Sequence, residues 1–433
     1  MTYLTKGISL LNKTLLNIKG PDATKFLNGL ITTRLLPNIV KKKQHTITDA
    51  ETRHLNLSEI ININQNWGLM HEDIYDPNHT ISIGRNGINS MFLNSKGRVI
   101  TDCFLYANPF HSSSDAKEGQ LEGNGDYLIE IDPKQESTLL SLLKIHKLSA
   151  KVKIKKLELY SYYIYNDSIE FDDWMEDIQQ RYFQSMDPKS AWSDADLFIQ
   201  SQELINTDIA DSVIGLAFDN RIPNFGIKIV TNKPIDNLLS AEFTSKFEIE
   251  PVDESNITKR RIDTGLFETC DGPSNTSLLP FDCNLDYTNG LSLEKGCYVG
   301  QELTIRTYNN GTIRKRIYPL KFHEYEGTNW EVLNNVDLET VTKLVISPLE
   351  EPESEQAQEE EQISSPFGAG KSVRKRKSSQ GKILSVYGDL GFGLFNIDDV
   401  EKNRLYKVEL DSGKFIIVEV KVPDWWPESG DSI

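Results

Sequence analysis

The most specialised chemistry in the chain lies at residues 295–302, Lys-Gly-Cys-Tyr-Val-Gly-Gln-Glu, where a cysteine stands between two glycines with a cation before it and an amide and a carboxylate after it. Gly296 and Gly300 allow close backbone approach and positive φ. Residues 301–310, ending before Gly311, predict a short helix with a glycine stop. Cys297 then sits just ahead of a helix N-terminus. Free amides, the positive dipole end and Lys295 two positions away favour its thiolate, a nucleophile or a soft metal ligand. Lys295, Gln301 and Glu302 either orient this loop or a ligand, or serve as helix-start caps and solvated charge. Cys103, Cys270 and Cys283 complete the cysteines; no pair has CxxC spacing, and four in 433 residues make no disulfide framework. A reducing compartment fits that usage. The seven histidines form no cluster, and none is near Cys297 in sequence to act as its base.

The charge balance limits the partners. A formal charge of −17 argues against nucleic acid or an anionic membrane as the main surface contacted. No run approaches the roughly 20 apolar residues needed to span a membrane, so no membrane insertion is expected. Residues 1–21 carry lysines and no acid, yet lack arginine and read as part of the fold, so no cleavable signal is assigned.

The elements that must position this chemistry follow in order. Residues 10–18 read as a strand, ended by Gly20-Pro21, with Asp22 capping a helix that carries Phe26, Leu27, Leu30 and Ile31. Residues 40–80 read as an extended polar excursion. A hairpin follows: residues 90–93, a turn over 94–97, and residues 99–106, then a polar loop over 108–125. A strand at 127–131, a helix capped by Asp132-Pro133 and a strand at 151–159 make a strand–helix–strand unit. Residues 172–186 read as helix, residues 213–218 and 227–231 as paired strands, and residues near 260–266 as helix. From residue 314 short strands at 317–322, 381–387, 391–396, 406–410 and 415–422 read as a small barrel. A glutamate-dense then basic stretch at 348–380 interrupts it and has the composition of a solvated, disordered insertion. This divides the chain into an α+β region of two interleaved lobes at 1–235, a connecting segment with the cysteine motif at 236–312, and a barrel at 313–433.

The block at 295–302 resembles the hallmark of the YgfZ-type relatives of the glycine-cleavage T-protein, folate-linked assembly factors for iron–sulfur proteins, and is most similar to their mitochondrial branch. The resemblance extends to Asn284-Leu285-Asp286, Gly290-Leu291-Ser292, Leu93-Asn94, Lys96-Gly97-Arg98, Asp219, Arg221, Gly226 and residues 18–31. It covers most of the chain apart from 40–80 and 348–380. It implies an α+β, T-protein-like ring of three lobes around a central opening, with a ferredoxin-like portion and a C-terminal β-barrel. Three departures stand out. Where T-proteins carry paired aspartates, residues 98–102 here leave one carboxylate, Asp102; Asp282 stands where Glu is usual, and Lys228 where Arg is usual.

The resemblance implies an assembly factor rather than an enzyme, acting in the mitochondrial matrix on four-iron four-sulfur proteins. Cys297 would ligate an iron–sulfur cluster shared with an A-type carrier, since one cysteine cannot hold a cluster alone. Client four-iron four-sulfur enzymes would be the further partners. Arg98 and Asp102 would line the central opening, where tetrahydrofolate could bind; alternatively they form a hairpin salt bridge. The competing reading is a tetrahydrofolate-dependent aminomethyl or one-carbon transferase.

Overall fold

The computed structural model of the protein describes residues 3–36, 67–72, 75, 81–112, 125–273, 276–334, 336–349, 380–410 and 413–427. Most of the excursion at 40–80, the loop after residue 112 and the insertion at 348–380 lie outside them. The described part of the first, Gly68–Glu72, is a strand with buried Trp67, Leu69 and Met70 beside it, rather than polar excursion.

The expected single strand at 10–18 is two. Lys6–Leu11 and Thr14–Lys19 are separated by a turn at Asn12-Lys13 and enter different sheets. The first edges an antiparallel sheet of four strands, in the order Lys6–Leu11, Tyr160–Asn166, Ile227–Thr231, Val213–Phe218. The second is the fourth member of five, in the order Ile88–Leu93, Val99–Ala107, Asp126–Ile131, Thr14–Lys19, Lys153–Leu157. One short turn thus couples two lobes, and apolar burial between the sheets holds them face to face: Leu15, Phe104, Tyr106 and Leu128 pack on Ala217 and Val230.

The third lobe is a six-stranded antiparallel sheet of barrel type, ordered Val345–Pro348, Leu405–Glu409, Phe415–Val420, Lys315–His323, Leu390–Asn396, Gly381–Tyr387. Five of its strands match the expected short strands within two residues; the sixth, Val345–Pro348, is additional and reaches the first residue of the expected insertion. Met91 from the hairpin, Ile262 and Phe267 from the connecting segment, and Leu384 and Phe392 from the barrel share one core, which closes the lobes on each other. Helices coat the outer faces. Ile169–Tyr182 begins three residues ahead of the expected start because Ser168 accepts the Phe171 amide and caps it. Pro188–Gln200 was not anticipated, although Asp187 as cap and Pro188 at the first position are its signature.

Candidate functional site

The cysteine loop is held at four points. Val299 donates its amide to the Gly29 carbonyl at 2.9 Å, where the Ala23–Asn28 helix ends. Ser292 donates to Thr32 O at 3.0 Å, and Thr32 Oγ1 donates to Gly290 O at 2.6 Å. Lys295 Nζ reaches inward to Ile31 O and Thr33 O at 2.6 and 2.7 Å. Gly300, at φ +80°, lies against the hairpin turn, where a Cβ would stand 2.3 Å from Asn94 O. Each contact joins segments far apart in sequence, so the residues at 18–31, 94–98, 284–292 and 295–302 converge on one structure.

Within that frame Cys297 is the only exposed cysteine of the four. Cys103 and Cys283 are buried, and burial pushes both thiols well up. Cys270 is half-buried, and its thiol is raised by burial and by the charges of Glu268 and Asp271. Lys295 turns inward, whereas Cys297 is exposed. The lysine is buried, its ammonium rests over the Tyr298 ring at 4.7 Å, and burial followed by the charge of Arg34 pushes its pKa well below the ordinary range. Its two carbonyl partners make it a pin for the loop.

The expected helix follows with the bounds Gln301–Asn310 and the stop Gly311. Gln301 turns back to accept the Tyr298 amide at 2.8 Å, a local cap that stiffens the loop behind Cys297. Glu302 faces solvent and pairs, among the described residues, with Arg306 one turn on, at 2.6 Å. Among the described residues no group of three or more His, Cys, Asp and Glu side chains is placed to hold a metal ion.

The central opening is a separate feature. A cleft of about 260 Å³ is lined from all three lobes, by Lys13, Arg221, Lys228, Arg261, Glu268 and Tyr387 among others. None of Arg98, Asp102, Lys295, Cys297, Gln301 and Glu302 lines it. Asp102 accepts from the Thr269 amide at 2.7 Å and from Thr269 Oγ1, and its carboxyl is raised by burial and by the charge of Glu268. Arg98 bears on Asp282, whose carboxyl is raised by burial against the pull of Arg98 and its other neighbours. Among the described residues Arg98 and Asp102 form no salt bridge, and Asp102 is committed to Thr269 instead.

The groups that do build the cleft were missed as a set because sequence distance conceals them; Lys13 and Glu268 are 255 positions apart. Glu268 bridges Lys13, Arg221 and Arg261 at 3.4, 3.0 and 3.5 Å, Arg261 also holds Asp271 at 2.6 Å, and Lys228 holds Glu130 at 2.6 Å. Burial would raise Glu268, but Arg261, Lys13 and Arg221 hold its carboxyl well below the usual range. These four cations are all matched, and among the described residues no buried side-chain polar atom of the cleft lacks a partner. The volume falls below the about 300 to 1,000 Å³ of usual small-molecule sites. Lys134 also lines the cleft and forms no ion pair among the described residues, so the lining combines matched charges with a free donor.

Residues 314–428 match the family "CAF17, C-terminal beta-barrel domain". Over 99% of this chain and 100% of the relative, the sequence is 53% identical to the "Iron-sulfur cluster assembly factor IBA57 homolog, mitochondrial" of Debaryomyces hansenii. Over the same shares of each it is 50% identical to the protein of that name in Candida albicans. It is 31% identical to "Iron-sulfur cluster assembly factor IBA57, mitochondrial" of Saccharomyces cerevisiae, over 73% of this chain and 67% of that protein. The fold is similar to the glycine cleavage system aminomethyltransferase T of Bartonella henselae, with TM-score 0.50 and 11% identity over 98% of this chain and 87% of that one.

Proposed function

The chain belongs to the IBA57 family of mitochondrial iron–sulfur cluster assembly factors, and from that membership we propose that Cys297 supplies one thiolate to a cluster held jointly with a second protein. The observation that carries this is an exposed cysteine on a loop pinned at four points, while among the described residues no group of three or more ligand side chains is placed to hold a metal. A cluster needs several thiolates. A thiol offered alone on a rigid mount suits a cargo whose remaining ligands arrive with a partner, and an A-type carrier loaded with a cluster is that partner. The clients are four-iron four-sulfur enzymes.

Exposure serves this role directly, because the cluster must be reached by another protein and given up again. The buried Lys295 pin and the Gln301 cap keep the loop in one geometry, which lowers the ordering cost of forming the joint site. One-carbon transfer has less support. Asp102 is half-buried and committed to Thr269, the cleft cations Lys13, Arg221, Lys228 and Arg261 are matched by carboxylates, and no step is assigned to tetrahydrofolate.

The test is anaerobic mixing of the full chain with a cluster-loaded A-type carrier, followed by absorption and native mass. Wild type should form a complex of one copy each that retains the cluster. Cys297→Ala should leave the cluster on the carrier alone. An equally stable cluster-bearing complex with the variant would overturn the ligand assignment.

A further inference from the structure

Residues 137–157 hold six lysines and neither Asp nor Glu, in a chain of net charge −17. They form the end of the Glu136–Lys147 helix, a tight tip, and the edge strand Lys153–Leu157. Lys144, Lys151, Lys153, Lys155 and Lys156 are exposed, and among the described residues only Lys156 of the six forms an ion pair, with Glu136. Asp22, Glu136 and Glu158 are the acids at its margin. Screening limits what an approaching surface senses to charges within about 8 Å at physiological ionic strength, so this patch acts as a cation despite the overall charge.

Lysines on an edge strand alone would be read as protection against edge-to-edge pairing. The neighbouring aliphatic residues work against that purpose. Ile145 is 70% exposed and Leu148 is 88% exposed, the latter at φ +41°, where glycine or asparagine is usual. The tip is rigid: Lys151 donates its amide to Asp22 Oδ2 at 2.7 Å, and a Cβ on Gly20 would stand 2.3 Å from Lys151 O. Two protruding aliphatic side chains at a turn offer too small an apolar core for a protein interface, which needs about 800 Å² a side. Aliphatics ringed by lysines suit insertion at the headgroup boundary of an anionic bilayer.

We propose that this tip docks the protein peripherally on an anionic lipid leaflet, with Ile145 and Leu148 inserted and the lysines on the headgroups. The full chain should sediment with vesicles of phosphatidylcholine containing one quarter cardiolipin, and not with phosphatidylcholine alone. Two surface variants, Ile145→Ser/Leu148→Ser and Lys144→Gln/Lys151→Gln/Lys153→Gln/Lys155→Gln, should each lower the partition about tenfold or more while leaving the melting temperature unchanged. A tryptophan introduced by Leu148→Trp should shift its emission to the blue on binding. Absence of sedimentation with cardiolipin vesicles, or sedimentation indifferent to both variants, overturns the proposal. Loss with the lysine variant alone also overturns it, and assigns the patch to an acidic macromolecule instead.

Discussion

At the scale of single residues, Glu268 is a centre of the cleft's electrostatics, because three cations from segments far apart in sequence converge on it. Removing one partner from a buried ion cluster leaves uncompensated charge, so Glu268→Gln should lower stability by about 3 kcal/mol or more in a denaturant titration. The pH dependence carries the same signature. The folded carboxyl lies well below its unfolded value of about 4.3, so it takes up its proton later in the folded chain than in the unfolded one. Its contribution is complete above that unfolded value and is lost as pH falls toward the folded one. Glu268→Gln should therefore flatten stability against pH over the acid range; an unchanged slope would mean that Glu130 and Asp219, also depressed, account for it. Nothing local in the sequence marks Glu268, whereas Cys297 is announced by its own neighbours. Side chains that work through a local motif are legible; those that work through distant charges are not.

At the scale of elements, the helix Gln301–Asn310 depends on Gly300, the residue that turns the chain from the cysteine loop into the first helical turn. A side chain there must adopt φ +80°, which costs roughly 1 to 2 kcal/mol, and would also press on the Asn94 carbonyl. Gly300→Ala should destabilise the protein by more than the backbone cost alone and raise amide hydrogen exchange selectively over residues 295–305. A loss spread evenly over the barrel would contradict the local mount described for Cys297. The same element shows what sequence reading catches. A glycine at each end bounded this helix to the residue, and alternating strands with glycine turns gave the barrel. The strand at 10–18 was misjudged because hydrophobic pattern does not reveal where a continuous run changes sheets. Lys13 then appears at the corner, facing the cleft, a position created by the break itself.

At the scale of the whole molecule, three lobes enclose a cleft in a fold similar to that of the aminomethyltransferase T, yet fold does not dictate the chemistry done inside it. In this chain four of the cations in the opening are already paired with carboxylates. Charges from separate segments meet in it: Lys13 from the turn between two sheets, Arg221 and Lys228 from the four-stranded sheet and its turn, Arg261 and Glu268 from the connecting segment, while the barrel adds the uncharged Ser385, Val386 and Tyr387. A folate engaging Arg221, Lys228 or Arg261 would have to displace existing ion pairs before forming its own, and a buried pair broken on one side costs about 3 to 5 kcal/mol. A ligand present at a hundred times its dissociation constant stabilises the folded state by about 2.7 kcal/mol. Tetrahydrofolate added to the full chain should give no such rise in the melting transition, measured anaerobically to protect the pteridine. The control distinguishes the cause: Lys228→Ala frees Glu130 from its partner at 2.6 Å, so the variant should melt lower than wild type in either condition. A clear folate-dependent rise in wild type that is lost in Lys228→Ala would show instead that the cleft opens its ion pairs to a pterin, and that the lobes hold a ligand rather than one another.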